Sequence, residues 1–227
     1  YRTSLFLIIP ILLYFIFMRY PREAKRGEKR PGIRGGEVIK LISHREVWMM
    51  YIFIFAYVAA EIAVATWFVE FLQTEKRLGD EKSAAYFSAY FALLMFGRML
   101  GSILVDRIGY LRSLTIFAVI AAVCLSIGVL GPDETAWILI GAGFGFSVIF
   151  PTATAVISGI PSKNPGTMMG IFFSCGGLGG MAGPWIVGIV SEAGGLKLGM
   201  MMNVGYCLIM LAAALILMYG NVRKQAE

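Results

Sequence analysis

The chain has 227 residues, of which 58% are apolar and 15% are charged, and its formal net charge is +6 at pH 7. So few charges cannot cover the surface of a water-soluble protein, and a mean hydropathy of +0.75 favours a lipid bilayer as the solvent. The composition therefore argues against a soluble globular domain and predicts an all-α integral membrane protein.

Seven apolar segments are long enough to cross a bilayer, which takes about 20 residues of helix. The first is predicted to be a transmembrane helix and not an export signal, because its basic residues follow the apolar run instead of preceding it. The chain begins without an initiator Met, and we expect it to be the remainder of a longer protein. In chain order the segments cover about residues 3–20, 47–73, 84–105, 112–130, 136–160, 166–191 and 199–219.

The basic residues are concentrated in one connector. Nine of the 20 Lys and Arg residues lie between Arg19 and Arg45, in a charged stretch that contains Pro and Gly. Over all connectors, fourteen basic residues fall on the side of this loop and five on the other side. The positive-inside rule then predicts that the loop at residues 21–46 and the C-terminus are cytoplasmic and that the N-terminus is outside. This distribution is typical of a membrane protein and argues against nucleic-acid binding.

Three ionisable residues interrupt the apolar segments, namely Glu61, Glu70 and Arg98. A charged group at the bilayer centre costs about 2.5–3.5 kcal/mol even on conservative scales, so each is expected to face a cavity or a partner. Glu61 shares a helix face with Tyr57, whose hydroxyl could donate a hydrogen bond to the carboxyl group. Because burial disfavours the charged form, Glu61 is a candidate for taking up a proton or binding a cation. The alternative is a neutral Glu61 bonded to a neighbouring helix.

Glu70 lies on the opposite face of the same segment, near its outer end. It could line an outward mouth, but we favour contact with headgroup water beside Trp67 in the interfacial aromatic belt. Arg98 could pair with a carboxylate or a solute anion, or extend to the cytoplasmic interface. Further candidates for lining a cavity are Tyr90, Phe150, Phe172, Asn203 and Tyr206.

Glycines are concentrated in the fifth and sixth segments, and each of these segments also contains one proline. Small residues four positions apart, such as Gly179 and Gly183, let helix backbones approach closely. Pro151 and Pro184 each remove a helix hydrogen bond, which predicts either static kinks or bends that a conformational change uses.

The residues needed for other chemistry are scarce. His44 is the only histidine, and the three cysteines lie inside apolar segments without a short Cys-x-x-Cys spacing. The sequence therefore predicts no metal site, no disulfide framework and no cofactor. It contains no recognisable nucleophile–base pair or phosphate-binding loop, so an enzyme is not expected.

The most specific motif follows the third segment and reads GRMLGSILVDRIGYLR from Gly97 to Arg112. It resembles the G-x-L-x-D-R-x-G-R-R cytoplasmic loop of the major facilitator superfamily. The first Gly is displaced by one position, and Tyr and Leu replace the basic pair, as is usual in the second copy of this loop. In this motif Asp106 ends one helix, Gly109 turns the chain, and Arg107 and Arg112 pair with acidic groups at neighbouring helix ends.

The resemblance implies the C-terminal half of a twelve-helix transporter in a plasma or inner membrane. Residues 1–20 are then the sixth helix, residues 21–46 the central cytoplasmic linker, residues 47–220 the last six helices, and residues 221–227 a cytoplasmic tail. The implied partner is an N-terminal half, on the same chain or on a separate one. A solute would bind near the midplane between two rocking halves, and the loop motif would stabilise one conformation by salt bridges.

A weaker resemblance concerns the second segment. The stretch from Tyr57 through Ala59 to Glu61, followed by Trp67, is similar to the seventh helix of the fucose/proton symporter family, where a Gly stands in place of Ala59. It implies sugar transport coupled to H+ or Na+, with Glu61 and Trp67 at or near the central cavity. Tyr57 and Arg98 are further candidates for substrate or ion coupling. The alternatives are a non-transporting scaffold, receptor or assembly subunit with the same fold, or a channel.

Overall fold

A computed structural model of the protein describes residue 14, residues 45–162 and residues 164–226, with side chains for all of these except residue 102 and residues 221–226. The predicted helix at residues 3–20, apart from Tyr14, and nearly all of the predicted linker at residues 21–46 lie outside the described residues. The fold below therefore concerns the remaining six predicted segments.

The described chain from residue 45 onward is helical and contains no strand. Six of its helical stretches are long and apolar enough to cross a membrane, and one of them is a 3-10 helix continued by two short α-helices. The all-α prediction and the six membrane-spanning segments after the first are therefore confirmed. The elements are α1 (Arg45–Thr74), α2 (Asp80–Ile108), α3 (Tyr110–Leu130), the 3-10 helix (Asp133–Ile138), α4 (Leu139–Ser147), α5 (Ile149–Ser158), α6 (Pro165–Gly194) and α7 (Leu196–Ala226).

Two helix pairs are joined by a single glycine. Gly109 separates α2 from α3 with φ of 91°, and Gly195 separates α6 from α7 with φ of 86°. L-residues with a side chain rarely adopt such angles, so glycine is required where the chain reverses within one residue. The Gly109 N–H donates to the Val105 carbonyl at 2.8 Å and so closes the last turn of α2.

The segment predicted at residues 136–160 is not one continuous α-helix. The α-helical ladder breaks at Val148, between α4 and α5. Pro151 lies three residues later and has no N–H to donate to the carbonyl of Ser147, four residues before it. The loss of this bond explains why the break falls here.

The central helix is α1, which packs mainly against α6 and α7 and also contacts α2 and α5. Its contact with α6 is close because α6 presents glycines to the α1 backbone. A Cβ atom at Gly179 or Gly183 would overlap the carbonyl oxygens of Phe55 and Ala59, respectively. Removing side chains at such positions lets two helices approach backbone to backbone.

The helices differ in how much of their surface the bundle covers. In the most apolar stretch of 18 residues in α1, α3 and α7, 50% of the residues are buried inside the bundle. In the corresponding stretches of α2 and α6, only 22% are buried. The uncovered faces of α2 and α6 are apolar, so that lipid or another protein can pack against them. They carry Met95, Phe96, Met99 and Ile103 on α2, and Leu178, Met181 and Trp185 on α6.

Candidate functional site

An ion pair links α1 to α2 inside the membrane-spanning part of the bundle. The Arg98 guanidinium donates to the Glu61 carboxylate, with Nη2 at 3.1 Å from Oε1. The Arg98 side chain is 47% exposed and that of Glu61 only 15% exposed, so the pair lies at the edge of the packed core. Two of the three ionisable residues that interrupt the apolar segments are thus partners, which satisfies two charges that would be costly alone.

Tyr57 is fully buried one turn before Glu61. Its hydroxyl donates to the backbone carbonyl of Phe146 at 3.2 Å. Phe146 lies in the last turn of α4, beside the break at Val148, and its carbonyl also accepts the Val148 N–H. Tyr57 therefore joins α1 to the end of α4.

Tyr90 on α2 is a second fully buried tyrosine. Its hydroxyl has no hydrogen-bond partner among the described residues. Its ring packs against Phe68 of α1, with centroids 5.3 Å apart. Of the other candidates for lining a cavity, Phe172 and Asn203 are, like Tyr90, fully buried among the described helices, Tyr206 is nearly so, and Phe150 is partly buried.

Trp67 joins α1 to α6. Its indole Nε1–H donates to the Pro184 carbonyl at 3.0 Å, and its ring lies against Gly188. Glu70, three residues further along α1, is exposed. Trp67 therefore fastens the two helices together in this conformation, at a point separate from the ion pair.

The loop motif lies at the end of α2 and the start of α3. Asp106, Arg107 and Arg112 are exposed, and none of them forms an ion pair within the described part of the chain. A pocket of about 250 Å³ opens beside them, between the ends of α2 and α5. It is lined by Arg98, Gly101, Val105, Asp106, Tyr110, Val148, Pro151, Thr152 and Ala155.

Lys76 is a buried cation that the sequence does not single out. It lies in the connector between α1 and α2, and its Nζ donates to the Gly131 carbonyl at 2.6 Å, at the end of α3. Burial lowers the pKa of Lys76, and the nearby ammonium of Lys197 lowers it further. A single Lys in a short polar connector carries no signal of burial, so only the folded structure identifies this contact.

The described chain is thus a six-helix membrane bundle with an intramembrane ion pair, and ionisable residues in such positions mark functional sites of membrane proteins. The family model described as Major Facilitator Superfamily matches residues 3–158, which is more than half of the chain. The protein belongs to this family.

Relatives described as sugar transporters share about a third of the aligned residues. A glucose/galactose transporter of Brucella abortus is 31% identical over 166 residues, covering 71% of this chain and 40% of the relative. A putative glucose/galactose transporter of Helicobacter pylori is 29% identical over 157 residues, covering 67% and 37%. The cis,cis-muconate transport protein of Acinetobacter baylyi is 24% identical over 139 residues, covering 60% and 34%. The alignments thus span well under half the length of these relatives, all of which are described as transporters and not as enzymes.

Two crystal structures of FucP have a similar fold. One is described as a Major Facilitator Superfamily transporter in the outward conformation and gives a TM-score of 0.73. The other is a variant of the E. coli fucose:proton symporter and gives 0.72. Each is 19% identical to this chain, and the similarity covers 92% of this chain and 52% of FucP. The six-helix bundle is therefore confirmed as one half of a major-facilitator-type fold.

Proposed function

We propose that the protein is a secondary active transporter that moves a small solute by alternating access, coupled to H+ or Na+. The observation that carries the proposal is the Glu61–Arg98 ion pair between α1 and α2, with Arg98 half-exposed. Ionisable residues in membrane-spanning segments mark solute and ion pathways, and the half-exposed guanidinium is accessible to a ligand.

The pair suggests how a cation and a solute are coupled. While Glu61 is ionised it holds Arg98, and a proton or a sodium ion that neutralises the carboxylate releases the guanidinium. A protonated Glu61 can donate to the Tyr57 oxygen while Tyr57 keeps its own bond to the Phe146 carbonyl. Arg98, with up to five N–H donors, is then free to bind hydroxyl or carboxylate oxygens of the solute.

The solute class we propose is a sugar. The support comes from relatives described as glucose/galactose transporters and from FucP, described as a fucose:proton symporter. The relative described as a cis,cis-muconate transport protein supplies the competing class, because a guanidinium also binds carboxylates.

A second six-helix unit is proposed to complete the transporter. The largely uncovered apolar faces of α2 and α6 support this, because a solute path needs a wall opposite the Glu61–Arg98 pair. Residues 1–20 would be the last helix of that unit, residues 21–46 the cytoplasmic linker, and residues 221–227 a cytoplasmic tail. The charge asymmetry of the connectors supports this orientation.

The loop motif is proposed as a gate on the cytoplasmic side. Asp106, Arg107 and Arg112 are exposed and have no ion-pair partner within the described unit, which leaves them free to pair with the second unit. Such pairs would stabilise one conformation and break in the other.

Transport assays in proteoliposomes test the proposal. We expect the chain together with its second six-helix unit to accumulate labelled glucose or galactose under an imposed proton or sodium gradient, and to exchange it without a gradient. Glu61→Gln should abolish accumulation and retain exchange, because glutamine cannot change its charge. Glu70→Gln, on the same helix but exposed, is the matched control and should behave as wild type.

Each alternative gives a different result. Accumulation by Glu61→Gln equal to wild type would contradict the coupling role. Accumulation of cis,cis-muconate in place of sugar would show that the solute is a carboxylate and not a sugar. A folded protein that exchanges none of these probes would favour a non-transporting scaffold.

A further inference from the structure

The pocket between the ends of α2 and α5 extends from the ion pair to the loop motif. Both Arg98 and Asp106 line this volume of about 250 Å³. They are eight positions, or about two turns, apart on α2, so they lie toward opposite ends of the pocket. Because the Arg98 guanidinium also pairs with Glu61 at 3.1 Å, the pocket begins at the group to which the proposed function assigns the solute.

The pocket exists because α2 meets the fourth membrane-spanning segment only along part of its length. The helix α2 packs closely against α4 but makes few contacts with α5. The two chains meet at Gly101, where a Cβ atom would lie 3.0 Å from Cγ2 of Val148. The α-helical ladder breaks at Val148, and the pocket lies between α2 and the α5 helix that follows. Interrupted membrane helices of this kind commonly line cavities.

Thr152 of α5 contributes a polar side chain to the pocket wall. It is only 3% exposed, and its hydroxyl donates to no group in the described part of the chain. Thr154, two positions further along α5, is different because its hydroxyl donates to the Phe150 carbonyl at 2.9 Å. The hydroxyl of Thr152 therefore remains available to a molecule in the pocket, as expected of the few polar groups in a ligand site.

The charges toward the two ends of the pocket restrict the chemistry of its occupant. The Arg98 guanidinium only donates hydrogen bonds, and the Asp106 carboxylate only accepts them. A hydroxyl group can do both, whereas a second carboxylate near Asp106 would be repelled. Most of the remaining wall is apolar or aromatic and can contact the C–H groups of a sugar ring. It includes Val105, Tyr110, Val148, Pro151 and Ala155.

We propose that this pocket is a cytoplasmic-side subsite for a neutral, polyhydroxylated solute, and that Thr152 is a specificity-determining residue in it. The inference rests on the proposed function, in which Arg98 binds the solute once neutralisation of Glu61 has released the guanidinium. The solute then passes from Arg98 into the pocket, where the Thr152 hydroxyl binds one of its hydroxyl groups. Asp106 accepts another in the conformation in which the gate pairs are broken.

Transport assays on each face of the membrane test the role of Thr152. The chain together with its second six-helix unit is studied in inside-out vesicles, which present the cytoplasmic face, and in right-side-out vesicles. Thr152→Val keeps the shape of the side chain and removes its hydroxyl. It should raise the KM for exchange of labelled glucose or galactose by about 2–10-fold in inside-out vesicles, the range expected for one lost hydrogen bond. The KM in right-side-out vesicles should not change.

Thr154→Val is the matched control. It is the same substitution on the same helix, but the Thr154 hydroxyl is already bonded to the Phe150 carbonyl and the residue does not line the pocket. The KM should therefore equal that of wild type on both faces. An increase in KM as large as that of Thr152→Val would show that the effect comes from the helix and not from the pocket.

Asp106→Asn tests the selection by charge. Asp106 is exposed, so this variant is expected to fold. In inside-out vesicles, unlabelled cis,cis-muconate should inhibit wild-type sugar exchange far less than unlabelled galactose does. Asp106→Asn should narrow the difference between their half-inhibiting concentrations by about tenfold or more, because the repulsion of the dicarboxylate is lost. A change in the gate would affect both inhibitors alike and would leave their ratio unchanged.

The outcomes separate the subsite from the proposed function. With sugar exchange intact, an unchanged KM for Thr152→Val, or an equal increase on both faces, would overturn the role of Thr152. An unchanged ratio of the two inhibitors in Asp106→Asn would overturn the selection by charge. Both results leave transport itself standing, whereas a wild-type protein that exchanges no sugar would overturn the proposed sugar transport and the subsite together.

Discussion

The contacts that α1 makes on its two sides are of opposite kinds. Against α6 it packs backbone to backbone, with Gly179 and Gly183 on the carbonyls of Phe55 and Ala59. Against α2 it is linked by a half-exposed ion pair and by a tyrosine whose hydroxyl is unpaired. A glycine-packed contact has one geometry only, whereas polar groups with alternative partners have several. We therefore expect the α1–α6 contact to stay rigid and the α1–α2 contact to change between conformations.

The largest expected effect comes from breaking the rigid contact. Gly183→Ala places a Cβ atom against the Ala59 backbone and should lower the free energy of unfolding by about 1–3 kcal/mol, the usual cost of overpacking. Thermal unfolding of the purified protein in detergent measures this. Gly177→Ala on the same helix, where a Cβ atom meets nothing within 4 Å, is the control and should unfold at or slightly above the wild-type temperature.

A smaller effect is expected where a side chain fastens the same two helices. Trp67→Phe keeps an aromatic ring near Gly188 but loses the hydrogen bond to the Pro184 carbonyl. It should cost about 1 kcal/mol of unfolding free energy, measured as for Gly183→Ala. Trp185→Phe, at a residue that is 67% exposed, should have no such effect. Equal losses for the two tryptophans would show that the bond to Pro184 contributes nothing.

The smallest effect concerns Lys76, outside the membrane-spanning segments. Because burial lowers its pKa in the folded protein, the unfolded chain binds more protons between that value and the ordinary lysine value of about 10.4. The unfolding free energy should therefore rise with pH through this window. Lys76→Met should lack this component of the pH dependence, and Lys82→Met, at an exposed lysine, should keep it. A wild-type stability that falls or stays level as the pH rises toward 10 would contradict the account.

The spans were predictable because the bilayer imposes a length and a polarity on each helix. Residues 47–73 and 166–191, for example, were predicted within three residues of the observed ends of α1 and α6. Glu61 and Arg98 could be identified from the sequence as candidate functional residues because they are ionisable groups within apolar segments. That they pair with each other was not predictable, because the rotation of each helix depends on neighbours that a single segment does not encode.

Other features depend on the tertiary fold. The bond from Tyr57 to the Phe146 carbonyl, at the end of α4, forms only because the fold brings α1 and the end of α4 together. Tyr90 was named from sequence as a candidate for lining a cavity, but its burial and its unpaired hydroxyl depend on Phe68 and Gly143, which come from two other helices.

Solute-driven proton movement tests the central claim most directly. Glucose or galactose added to unbuffered proteoliposomes that contain the protein should raise the external pH as protons enter with the solute. Glu61→Gln should exchange the same labelled sugar without any pH change. A pH change of equal size in Glu61→Gln would contradict the account, because the coupled charge would then be carried by a residue other than Glu61.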